Sequence, residues 1–167
     1  MGRSEKTFQT EIRQSLRILP LQKVYHKIVD SGYQNPFDAF MCYDGKFYGL
    51  EYKIVKDRPS IPMLDLFKNR EHELVALRRV EGCGGKAWIL INIYKRYEYN
   101  YILAFSPHDY DWLVRGMANR KSVKLDEPIL TTFLRIDKVE DKFGEKVWDL
   151  TKLIYEPIQT KCAHQDS

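Results

Sequence analysis

The chain has 167 residues, 44% of them hydrophobic and 30% charged, which suits one soluble globular domain with a real core. No apolar run approaches the roughly 20 residues that span a bilayer, and the three cysteines, Cys42, Cys83 and Cys162, are too few and too scattered for a disulfide framework or a structural zinc site. A net charge of +4 and a pI near 8.8 permit a nucleic-acid partner without demanding one.

Met1 to Lys6 lead directly into polar, helix-compatible sequence without the apolar centre of a signal peptide, so a cytoplasmic protein with no membrane partner is expected. Residues 5–18 read as a helix, with Phe8, Ile12 and Leu16 forming one stripe and Pro20 closing it. Residues 23–29 alternate as a strand, broken by Asp30-Ser31-Gly32; Asn35-Pro36 marks another turn. Residues 37–54 read as a hairpin around Asp44-Gly45, a type I′ signal. The spacing predicts a helix over 63–81, buried through Leu66, Leu74, Leu77 and Val80 and ended by Gly82, Gly84 and Gly85. The continuous apolar run 87–94 has the character of a central strand covered on both faces, and 99–105 of its antiparallel neighbour. A short helix over 108–118, a basic loop over 119–128, and a hairpin around Phe143-Gly144 with a final short helix within 130–154 complete the expected elements. The whole predicts an α/β domain over 1–157, a mixed central sheet flanked by helices, and a disordered polar tail over 158–167.

The hairpin carries the chemistry. With a two-residue loop, Tyr43 pairs with Lys46, and counting outward sets Cys42 against Phe47, Met41 against Tyr48, Phe40 against Gly49, Ala39 against Leu50, and Asp38 against Glu51. Directly paired side chains have Cβ atoms about 4.5–5.5 Å apart. Lys53, two residues beyond Glu51, shares its face. Glu-x-Lys on a strand is ordinarily a solvated face with a weak ion pair. Here YGLEYKI surrounds it with apolar and aromatic residues, and a charged trio at the buried end of a hydrophobic hairpin needs a reason. Opposed carboxylates repel; a divalent cation offsets that, and hard oxygen ligands suit magnesium, with manganese as substitute. A cation so held, beside a lysine that positions or deprotonates a water, is equipment for phosphodiester hydrolysis.

Asn35-Pro36-Phe37-Asp38, twelve residues, then Glu51-Tyr52-Lys53 resembles the PD-(D/E)xK nuclease pattern, and the following helix and the strand beginning Ala87-Trp88-Ile89 fit the same order. From about residue 8 to 105 the chain resembles Holliday junction resolvases of the RecU and archaeal Hjc kind, including phage versions. The resemblance implies a restriction-endonuclease-like fold and a homodimeric, magnesium-dependent DNA endonuclease that nicks four-way junctions in pairs. Asp38 and Glu51 would be metal ligands together with the Tyr52 carbonyl, and Lys53 would orient or activate the water. The family's first-helix glutamate has no unique counterpart: Gln9 occupies the expected place, Glu5 and Glu11 flank it, and Glu11 is the preferred participant. The glutamine often found in the helix after the E-x-K strand is missing from Arg70-Glu71-His72-Glu73, which departs from the subfamily pattern, and His72 reads as a surface or packing residue.

Lys56, Arg58, Lys68 and Arg70 are candidates for phosphate contact, as is the stretch Arg115, Arg120, Lys121 and Lys124. Alternatives are another PD-(D/E)xK nuclease acting on duplex DNA (restriction, homing or repair type), a non-catalytic nucleic-acid-binding module, or a structural protein whose trio is accidental.

Overall fold

The structure, a computed structural model, describes residues 4–20, 23–28 and 35–155. The expected tail over 158–167 and Cys162 lie outside them, as do the breaker Asp30-Ser31-Gly32 and the last residue of the first expected strand.

Helix α1 spans Glu5–Ser15, opened by Ser4, whose hydroxyl accepts from the Thr7 N–H, and it tightens into a 3-10 turn over Leu16–Ile18. Strands β1 (Lys23–Lys27), β2 (Ala39–Tyr43) and β3 (Lys46–Lys56) form an antiparallel meander. Asp44 and Gly45 both take positive φ, 50° and 70°, as a type I′ turn requires. The ladder then runs in the expected register from Tyr43↔Lys46 to Ala39↔Leu50.

The helix expected over 63–81 is shorter. A short strand β4 (Ser60–Ile61) and a 3-10 turn (Met63–Asp65) precede it, Asn69 turns the chain at φ 63°, and α2 spans only Glu71–Gly82. Leu66 and Phe67 still pack on the core, but from a turn. Strand β5 (Lys86–Lys95) lies parallel to β3, and β6 (Tyr99–Phe105) antiparallel to β5. A capping box formed by Ser106 and Asp109 starts α3 (Pro107–Gly116).

The expected basic loop contains a strand, β7 (Val123–Lys124), paired with β4, and runs into a 3-10 segment over Pro128–Thr132. Strand β8 (Leu134–Ile136), which periodicity does not reveal, adds an edge to the main sheet. Strands β9 (Lys138–Glu140) and β10 (Lys146–Trp148) are the expected hairpin, and α4 (Thr151–Tyr155) follows.

The main sheet is mixed, in the order β1-β2-β3-β5-β6-β8. Alternation along its strands separates two cores. Tyr48, Leu50, Tyr52, Trp88 and Leu90 meet Phe8 and Ile12 of α1 on one face. Val55, Ile89, Ile91 and Ile93 meet Leu74 and Leu77 of α2 on the other, with α3 beside them. The α/β class and the helix-flanked mixed sheet are therefore as expected, and β5, fully buried from Ala87 to Ile93, is its two-sided centre. Gly49 permits the close seating of α2: a Cβ there would meet Leu77 and Val80 at 3.3 Å. Among the described residues no helix is long and apolar enough to cross a membrane.

Candidate active site

Strand β3 outruns its partner. Pairing with β2 stops at Leu50, whereas pairing with β5 continues to Lys56. Beyond Leu50 the β2 side of β3 carries polar groups that a strand no longer satisfies, and here Asp38 and Glu51 meet. Asp38 stands one residue outside β2, as the hairpin count places it. Its Oδ2 accepts from the Tyr52 N–H at 2.8 Å, and Glu51 Oε2 accepts from the Asp38 N–H at 3.2 Å. Tyr52 directs its N–H toward Asp38; since the N–H and C=O of a strand residue point to the same side, its carbonyl faces this edge too.

Period two puts Glu51 and Lys53 on the α2 side of the sheet. Glu51 is fully buried and Lys53 is 6% exposed. Lys53 Nζ donates to Glu51 Oε1 at 2.5 Å and to Glu73 Oε2 at 2.9 Å, and lies 4.9 Å from the centre of the Phe67 ring. Glu73 is the residue that spacing along the chain misses. It sits four before Leu77 and seven before Val80, in phase with the buried face of α2, and a carboxylate in that phase is itself a signal. Arg70 pairs with its other oxygen at 3.5 Å.

The group is electrostatically unbalanced. Burial, and then the charge of Asp38, push the Glu51 carboxyl up to about 9, against the pull of Lys53. Burial raises Asp38 as well, opposed by the Tyr52 N–H. Burial by itself would lower Lys53, but the charge and hydrogen bonds of Glu51, with those of Glu73, outweigh it and raise its pKa. Without a metal these carboxylates favour the ammonium form of Lys53, and together they hold a surplus of negative charge that a proton or a cation must make up.

The first-helix candidates separate. Glu5, on the opening turn of α1, feels Asp38, Lys53 and Glu73, and burial followed by Asp38 raises its pKa. Gln9 Nε2 donates to Glu5 Oε1 at 3.5 Å, one turn behind. The structure does not bring Glu11 to this group. It lies six residues, or about 600° of helix, beyond Glu5, and its carboxylate accepts from Trp148 Nε1 at 3.0 Å and pairs with Lys138 at 3.0 Å.

No family model matches the chain, and no curated protein does. Among solved structures, one similar chain is Hjc, a Holliday junction resolvase from the archaeal hyperthermophile Archaeoglobus fulgidus, at a TM-score of 0.41 and 17% identity, over 78% of this chain and 89% of that one.

Beside the trio opens a cleft of about 450 Å³ whose lining includes Glu5, Lys53, Lys56, Arg58, Lys68 and Arg70. The four early basic candidates thus share one wall system with Lys53. Arg58 and Lys68 have no ion pair among the described residues, whereas Lys56 lies 3.8 Å from Asp57. The later basic stretch is not in that lining: Arg120 is held by both oxygens of Glu127, and Arg115 is on α3. His72 is half-buried on the first turn of α2.

As donors, Asp38, Glu51 and the Tyr52 carbonyl are the hard oxygens that magnesium or manganese takes, and the unbalanced charge favours a cation among them. Among the described residues no three His, Cys, Asp or Glu side chains form a ready-made ligand cluster, so a cation here would need the backbone carbonyl, water or substrate oxygens to complete its shell.

Proposed function

We propose that this chain is a metal-dependent endonuclease of the PD-(D/E)xK kind that hydrolyses DNA phosphodiesters, with a four-way junction as substrate. The observation that supports it is the meeting of Asp38, Glu51 and Lys53 at the open end of β3, beside a cleft walled by four further cations. Asp38 and Glu51, with the Tyr52 carbonyl, would hold magnesium, or manganese in its place. When bound, the ion supplies Lewis acidity and a water of lowered pKa.

The chain's own residues do the rest. Lys53, held between Glu51 and Glu73, orients the attacking water or donates to a non-bridging phosphate oxygen, stabilising charge there. Glu73 is a positioning residue acting through Lys53. Lys56, Arg58, Lys68 and Arg70 bind phosphates and set the register of the strand without reading its bases. Paired nicks across a two-fold junction call for a two-fold enzyme, so a homodimer belongs to the same proposal.

The test is cleavage of an end-labelled four-way junction, beside linear duplex and single strand, with and without magnesium. Magnesium-dependent paired nicks confined to the junction are expected. Cutting of linear duplex would retain the nuclease and discard the junction. No cutting with magnesium or manganese would leave a nucleic-acid-binding module.

A further inference from the structure

The β5–β6 hairpin closes through residues 96–98, and at its tip stands Tyr97, 90% exposed. Its backbone takes φ +64°, the left-handed region where glycine or asparagine is the usual occupant and a bulky aromatic is rare. Arg96 covers one face of its ring, 4.7 Å from the ring centre, and donates to the Tyr97 hydroxyl at 2.7 Å. The ring is thus steadied by a cation on one side and presents its other face to solvent.

This tip is fastened to the cleft. Lys56 pairs with Tyr94 across the β3–β5 ladder, the Asp57 N–H donates to the Tyr94 carbonyl at 2.9 Å, and the Tyr99 hydroxyl reaches the Arg58 carbonyl at 3.5 Å. Lys56 and Arg58 are cleft wall. Behind the tip Tyr99 and Tyr101 lie 6.0 Å apart, and the Arg135 guanidinium rests over Tyr101 at 4.1 Å. The hairpin that carries Tyr97 thus borders the proposed phosphate-binding wall through Tyr94 and Tyr99, with Tyr101 and Arg135 lying inward of the tip.

Cations that track a backbone, followed by an aromatic face with an arginine behind it, form the pairing that holds an unstacked base. We infer that the open face of Tyr97 stacks on an unpaired nucleobase of the DNA strand leaving the cleft. This rests on the nucleic-acid-binding part of the proposed function and narrows its substrates to DNA with a base outside the duplex, as at a fork, a single-stranded arm or a junction whose central pairs have opened. Every base has a π face, so the preference is for strand structure, not sequence.

Binding in chelator, where no cutting occurs, tests this apart from catalysis. Fluorescence anisotropy compares a fluorescein-labelled duplex bearing a single-stranded arm with the same duplex blunt. Tyr97→Asn keeps a residue suited to the left-handed turn and removes the ring; Tyr97→Trp keeps a ring. The expected result is a loss of about tenfold in affinity for the armed duplex with Tyr97→Asn, under twofold for the blunt duplex, and recovery with Tyr97→Trp. Equal losses on both substrates, or none on either, would overturn the stacking role. Failure of the wild type to bind either DNA would overturn it together with the reading beneath. A wild type that binds with this pattern yet never cuts would overturn only the nuclease assignment.

Discussion

Asp38 and Tyr52 are joined by a 2.8 Å hydrogen bond in which a side-chain carboxylate accepts from a strand N–H. The oxygen stands in for the next carbonyl of β2, which has no partner residue in the ladder beyond Ala39. Glu51 returns the gesture, accepting from the Asp38 N–H. Each carboxylate is thus oriented by the other strand's backbone, so the site is built into the sheet and not hung upon it.

This makes the two obvious replacements of Asp38 behave differently. Asp38→Asn keeps an acceptor for the Tyr52 N–H, and the chain should melt within a degree or two of wild type. Its cleavage should fall by more than the roughly 10–100-fold typical of a metal's outer-shell partner. Asp38→Ala leaves that N–H unsatisfied, costing about 1–3 kcal/mol. Urea denaturation beside a cleavage assay separates the two effects; equal stability of both variants would contradict the orienting role.

Glu51 ties stability to pH. Its folded pKa, about 9, lies above the ordinary 4.5 of an unfolded chain, so the folded state binds the proton more tightly. Metal-free stability from this group is therefore full below about pH 4.5 and is lost as pH rises toward about 9. Glu51→Gln removes the ionisation. In chelator at pH 8 it should raise the melting temperature by about 2–4 °C, equivalent to 1 kcal/mol at this chain length, and flatten the decline between pH 5 and 9. Parallel profiles for the two proteins would sink the assignment.

Lys53→Met leaves Glu51 and Glu73 facing each other without their shared ammonium. Breaking a buried pair from one side costs about 3–5 kcal/mol. Urea denaturation in chelator checks this: a loss no larger than the roughly 0–1 kcal/mol of a surface ion pair would contradict the buried pairing.

On the first helix, Glu5→Gln should impair cleavage while Glu11→Gln leaves it within twofold of wild type, because Glu11 serves Trp148 and Lys138. The reverse order of sensitivity would show that Glu11 moves to the site when DNA binds. In the cleft, Arg58→Ala and Lys68→Ala should each weaken DNA binding across sequences and reduce the slope of log K against log salt by about 0.9. Arg120→Ala, whose wild-type side chain is spoken for by Glu127, should leave the slope unchanged.

How much of this was legible beforehand follows from how local each signal is. A two-residue turn with both φ values positive sets the register of everything beyond it, so Asp44-Gly45 sufficed to bring Asp38 to Glu51. Period two then put Lys53 on the same face. The spacing overextends the helix over 63–81 because Leu66 continues an apolar period that the backbone abandons at Asn69; burial of Leu66 and Phe67 needs contact, not helicity. Strand β8, three residues long, is too short for any period to register. The preference for Glu11 over Glu5 fails because a helical wheel shows which side a residue faces but not which end of the helix reaches the sheet's open edge. Glu73 escapes a family spacing, which calls for glutamine in that turn, and shows itself only in the buried phase of its own helix.

Helices α1 and α2 lie on opposite faces of the sheet, yet Glu5 of the one and Arg70 at the head of the other border the same cleft. The cleft therefore exists only when both layers have docked. A nascent or partly unravelled chain has the residues but no place where they converge, and on the proposed function its capacity to break DNA switches on only as the last layer closes, a safeguard that needs no inhibitor.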